Sequence, residues 1–102
     1  MQYVRAALIA RAKEVRDDGS IVEIVIWELP KPVPPSTHRF KYRLYYGAGG
    51  LTRVRYDNER GKGDHRHLGG QEEPIVLESL EQLLADFRHD IETWETHYEG
   101  GD

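Results

Sequence analysis

The chain has 102 residues, no cysteine and a net charge of −4, which suits one compact core, excludes disulfide stapling and fits a reducing compartment. The charge is segregated: residues 1–70 carry 13 Lys or Arg against 8 Asp or Glu, whereas residues 71–102 carry Arg88 against 10 acids, so a charged partner is expected for the basic part while the acids solvate a helix face. The N-terminal MQYVRAALIARAKEVR sets arginines within its short apolar stretch, contrary to a signal-peptide core or a membrane span, and the chain reads as cytoplasmic with no membrane contact.

In chain order, Val4, Ala6, Leu8, Ala10 and Ala12 recur at period two and predict a first strand, although the alanines would also suit a helix. Asp17-Asp18-Gly19-Ser20 signals a turn. The β-branched run from Ile21 to Trp27 is the most secure strand. Leu29 to Pro35 contains four prolines, which remove donors and fix φ, so it is an extended connector. Phe40, Tyr42, Leu44 and Tyr46 alternate with Arg39, Lys41, Arg43 and Tyr45, which predicts a strand with one apolar and one basic face. The chain turns at Gly47-Ala48-Gly49-Gly50 and returns from Leu51 to Tyr56. Aligning the apolar faces sets Leu44 opposite Val54, Tyr42 opposite Tyr56 and Arg43 opposite Arg55.

Asp57 to Glu73, DNERGKGDHRHLGGQEE, reads as a long ordered loop with a short strand around His65 to Leu68, and Ile75-Val76-Leu77 as a last short strand. Ser79 and Gln82 fit a capping box. Behind it Leu80, Leu83, Leu84, Phe87, Ile91, Trp94 and Tyr98 draw one apolar stripe, and the helix stops at Gly100 and Gly101. The expected fold is α+β. An antiparallel sheet of four to five strands, in two successive hairpins, carries one C-terminal amphipathic helix on its even-numbered face, which holds Ile24, Ile26, Phe40, Tyr42 and Leu44. A single domain is expected over 1–102, with the sheet in 2–77, a functional loop at 57–73 and the helix at 79–98.

Two constellations could carry chemistry. On the basic face, Arg39, Lys41, Arg43, Arg53 and Arg55 with Tyr45 among them have the composition used for phosphate contacts and base stacking. Neutralisation by Glu23, Asp57 and Glu59 is the equally weighted structural alternative. In the loop, His65 and His67 are acid and base candidates for phosphodiester cleavage. Arg60, Lys62 and Arg66 would stabilise phosphate, and Asp57, Glu59 and Asp64 would orient the imidazoles. The spacing matches no specific metal signature, so neither metal nor other cofactor is expected, and a metal-assisted phosphodiesterase ranks below the metal-free reading. A hydrogen-bonded plug of Asp, Asn and His is the structural alternative for this segment. Trp27 and Trp94 read as core or rim anchors rather than a stacking platform.

The stretches DGSIVEIVIWELPKPVPPSTHRFKYRLYY and YDNERGKGDHRHLGG, followed by EEP and SLEQLLADFRHDIE, resemble the TumE family of small prokaryotic toxins, over roughly residues 15–92. The resemblance implies a growth-inhibiting protein restrained by an antitoxin from a neighbouring gene; it supplies no catalytic residues. Joined to the inventory of residues 57–73, it leads to a toxin acting on RNA by metal-independent phosphodiester cleavage. The alternative is a non-catalytic module that binds nucleic acid or protein through the basic sheet face. A homodimer stays open as a partner state.

Overall fold

The computed structural model describes residues 6–99, the last two by backbone alone. Val4, the Tyr98 side chain and the helix stop at Gly100 and Gly101 lie outside the described residues. Six strands form one antiparallel meander, β1 (Ala7–Val15), β2 (Ile21–Glu28), β3 (Phe40–Ala48), β4 (Leu51–Glu59), β5 (Gly63–Leu68) and β6 (Gln71–Pro74), in spatial order β1-β2-β3-β4-β5-β6. One helix, α1 (Leu80–Trp94), follows and runs into a π-helical turn at Glu95–Glu99. The fold is thus α+β with one C-terminal helix, and its sheet has six strands where four to five were expected.

The additional strands come from the segment expected to be a loop. Gly61 and Gly63 take φ of 82° and 80°, which lets the chain reverse between β4 and β5, and Gly69-Gly70 reverses it again into β6. Strand periodicity is hard to see there because both faces of β5 carry polar groups. Ile75 to Leu77 form no strand; Ile75 donates its backbone N–H to Asp64 and packs with Leu77 against the core.

The β3–β4 register also differs from expectation. Gly49 and Gly50, at φ 60° and 79°, close a two-residue turn between Ala48 and Leu51, a geometry that needs positive φ at both central residues. The register then shifts between Gly47–Thr52 and Tyr46–Val54, leaving Arg53 as an extra bulge residue. Beyond the bulge Leu44 faces Tyr56, Tyr45 faces Arg55 and Arg43 faces Asp57. The opposed arginine pair, with its expected repulsion, does not occur. Where β3 and β4 pairing ends, buried Asn58 continues the ladder with its side chain, accepting from Tyr42 N at 3.0 Å and donating to Phe40 O at 2.7 Å.

The core lies between the even-numbered face and α1. Ile26, Tyr42, Leu44, Tyr46, Val54 and Tyr56 meet Leu83, Phe87 and Ile91, with Ile24, Phe40 and Leu84 partly buried around them. Phe87 meets Tyr56 edge to face, with centroids 6.0 Å apart. Ser79 caps α1 by accepting from Gln82 N at 3.0 Å; the Gln82 side chain turns forward to Asp86 instead of closing the box. Asp90, buried on the same helix, accepts from the Tyr56 hydroxyl and from Arg66 at 3.3 Å. Among the described residues no helix is long and apolar enough to cross a membrane. Because the Phe87 ring is 2% exposed, Phe87→Ala is expected to lower the unfolding free energy by about 3–5 kcal/mol, and Ser79→Ala by about 1 kcal/mol, both measured by urea denaturation.

Candidate functional site

Antiparallel pairing lines up side chains of one face in rows across the sheet. On the face away from α1, one row runs Val25, Arg43, Asp57, His65, Pro74, and the next runs Glu23, Tyr45, Arg55, His67, Glu72. The two histidine rings therefore neighbour each other, 5.4 Å apart and edge to face.

His65 is the buried member, 2% exposed. Its Nδ1 lies 3.0 Å from the Gly63 carbonyl, which can only accept, so Nδ1 carries a proton. Its Nε2 lies 2.5 Å from Asp57 Oδ1. Neither of these two buried atoms makes a well-aligned hydrogen bond, so the pair is a close contact only. Asp57 Oδ2 also lies 3.2 Å from Arg55 Nε, which orients the guanidinium.

The same guanidinium donates to His67 Nε2 at 2.7 Å, and Glu72 approaches that nitrogen from another side. The unprotonated ring accepts from Arg55, and the protonated ring would donate to Glu72. Burial, followed by the neighbouring Arg55 charge, holds the His67 pKa below its ordinary value and outweighs Glu72. The lowered pKa favours the neutral ring that accepts from Arg55. Glu72 is held below the usual carboxylate range chiefly by its hydrogen bond from Lys62, 2.8 Å away.

The cluster thus brings together His65, Asp57, Arg55, His67 and Lys62. Glu59 reaches it only at 3.9 Å from His65, and Arg60 is exposed in the β4–β5 turn. Arg43 is exposed on the same face and lies over the Tyr45 ring at 5.0 Å, while Lys41 donates to the Asn58 carbonyl. Three expected site residues lie elsewhere, Asp64 and Arg66 through strand alternation and Arg53 through the bulge. Arg66 points to the helix side, where it meets Asp90 and Glu73. Arg53, displaced by the bulge, donates to Tyr46 OH at 2.9 Å in the core. Asp64 accepts from Tyr42 OH and lies 2.6 Å from His38 Nε2, with Ser36 on its other oxygen. His38 Nδ1 accepts from Phe40 N, so Nε2 holds the proton and donates to Asp64. Asp64 thereby ties the proline-rich connector to β5 instead of orienting His65 or His67.

Glu72 was missed by sequence reasoning. Reading Gly69-Gly70 as a two-residue hairpin turn would have found it, since that turn sets His67 opposite Glu72. Two groups, His65/His67/Glu72 and Asp57/Glu59/His65, have the donor types and spacing to hold a metal ion. The Arg55 guanidinium lies against Asp57 and His67, so a cation of the protein's own already sits between the two groups.

The sequence model of the family described as Toxin TumE matches residues 5–95. The chain belongs to this family of toxins, and so to a toxin–antitoxin module with a cognate antitoxin as its partner. No curated protein and no solved structure gives a match.

The Asp64 network generates a pH prediction. Burial alone would raise the Asp64 pKa, but the hydrogen bonds from Ser36, Tyr42 and His38 outweigh it and hold the pKa below its ordinary value. A carboxyl depressed on folding stabilises the folded state above its unfolded pKa, and that stability is lost as pH falls through the folded pKa. Melting temperature measured between neutral pH and pH 2 should therefore fall on the acid side, and Asp64→Asn should lower the neutral plateau and shallow that fall.

Proposed function

We propose that this member of the TumE toxin family acts on RNA by phosphodiester cleavage without a metal, on the sheet face that carries Arg55, Asp57, His65 and His67. The observation that supports this most is that the Arg55 guanidinium lies against His67 Nε2 on one side and against Asp57, itself in close contact with His65, on the other. A candidate base, a candidate acid and a cation thus adjoin one another, as cleavage of a phosphodiester requires. The phosphate would displace Glu72 from His67 and lie on Arg55, with Arg43 and Lys62 at the rim.

In the reaction His67 Nε2 takes the proton of the ribose 2′-hydroxyl. The 2′ oxygen bonds to phosphorus as the bond to the 5′ oxygen breaks, and the leaving 5′ oxygen takes a proton that this reading assigns to the Asp57–His65 pair. The products are a 2′,3′-cyclic phosphate and a 5′-hydroxyl, and the negative charge gathering on the non-bridging oxygens is met by Arg55. His65, enclosed, acts through Asp57. Asp64 and Arg66 have no part, since their partners lie on the helix side.

A second reading is favoured by one observation: Arg43 is exposed on this face beside Tyr45, a pairing suited to holding nucleic acid with no chemistry. Incubating the purified protein with RNA, with and without a chelator, separates the readings. Chelator-insensitive cleavage is expected; binding without cleavage would favour the second reading, and chelator-sensitive cleavage would call for a metal in the His/carboxylate groups.

His67→Ala should reduce cleavage by about 10²- to 10⁴-fold, the usual contribution of a general base, and relieve growth arrest in an expressing host. Its thermal midpoint should barely move, because the side chain is partly exposed at 22%. Since burial and the Arg55 charge hold the His67 pKa below its ordinary value, cleavage should hold at neutral pH and fall as pH drops through that lowered pKa. Full toxicity of His67→Ala would remove it from the base role.

A further inference from the structure

The face that carries the histidines also carries two apolar side chains that the core does not use. Val25 and Trp27 on β2 are half-buried and point away from α1, and neither belongs to the cluster of core residues. With Lys41, Arg43 and Asp57 they line a pocket of about 260 Å³. Arg11 of β1 lies over the Trp27 ring, 5.8 Å from its centroid, so cations flank an aromatic surface on two sides. A tryptophan on a sheet face with no covering element costs apolar exposure, and an aromatic ring among Arg and Lys side chains has the composition on which bases of single strands stack.

The pocket's position relates it to the phosphate site. Asp57 is shared between them: it lines the pocket and it contacts Arg55 and His65. From β2 and β3 to β4 and β5 is two strand spacings, about 10 Å, a distance that a neighbouring nucleotide can bridge.

We propose that the Val25/Trp27/Lys41/Arg43 pocket is a base-binding subsite that takes one unpaired nucleobase of a single-stranded RNA, stacked on Trp27. The assignment rests on the RNA reading above and makes it more specific: since Asp57 supplies the proton to the leaving oxygen, the base held is that of the nucleotide on the leaving side. Arg11, displaced from the ring by the base, meets a backbone phosphate. A duplex, whose bases are already stacked and paired, does not fit.

The test uses the full chain and a short 2′-O-methyl RNA strand, which lacks the attacking hydroxyl, in normal and abasic forms of equal charge. Trp27→Ala should weaken binding of the normal strand at least about fivefold, as loss of one stacked base requires, and Trp27→Phe should retain most of it. Binding of the abasic strand should be the same in all three proteins. Equal binding of the normal strand by Trp27→Ala and the unaltered protein would overturn the proposal, as would an equal loss for the abasic strand. If Trp27→Ala does not fold, a Trp94→Phe protein leaves Trp27 as the remaining tryptophan. The normal strand should quench its emission and the duplex should not, and absence of quenching overturns the subsite. Cleavage of unmodified RNA is scored separately. Trp27-dependent binding with no cleavage supports the subsite while removing the catalytic reading.

Discussion

An antiparallel strand sends successive side chains to opposite faces, and in β5 this alternation sorts the polar groups on which the candidate site and the anchors of the fold depend. His65 and His67 go to the open face, and Asp64 and Arg66 go to the helix face. Four residues that look like one catalytic segment in the sequence are thus two structures back to back. One is a charged cluster that can meet a ligand. The other is a pair of hydrogen-bonded anchors holding the connector and α1 to the sheet.

The anchors explain why polar residues are tolerated next to the core. Asp90 and Asp64 are nearly buried carboxylates, and each is surrounded by donors: Tyr56 and Arg66 for one, Tyr42, His38 and Ser36 for the other. Burial of a charge is costly unless it is paired and hydrogen-bonded, and both are. The two tyrosines give their rings to the apolar layer and their hydroxyls to these acids. Burial and the hydrogen bonds to the carboxylates push both phenols far above their ordinary pKa.

On the open face the same accounting comes out differently. Asp57 and His65 are held close without good alignment, and His67 lies between a donor and an acceptor. Nearly neutral in sum, the cluster of Arg55, Lys62, Asp57 and Glu72 leaves Arg43, Lys41 and Arg11 to set the potential around it. In the proposed reading an incoming phosphate would meet these cations and displace Glu72 from His67. For a toxin whose partner must switch it off, an open sheet face is also a surface that an antitoxin can cover.

Much was legible from residues alone. The β-branched run Ile21–Trp27, the period-two run Phe40–Tyr46, the helix stripe from Leu80 to Trp94 and the Ser79 cap are local consequences of side-chain spacing and backbone preference, and they determined the α+β class and the buried face, while the family was legible only from the resemblance of whole stretches. The pairing of β3 with β4 was not legible, because one bulge residue, Arg53, moves every partner beyond it and the residues of a bulge carry no distinctive code. Nor was the strand nature of residues 57–73, since a sheet that is polar on both faces shows no apolar alternation. Apart from Glu72, the residues of the candidate site were visible in the sequence. Its division, with Glu72 and Arg55 gathered to the histidines and Asp64, Arg66 and Arg53 carried away, was decided only in the tertiary structure, because which side chains meet depends on cross-strand register and face, and both are set by contacts between residues far apart in the chain.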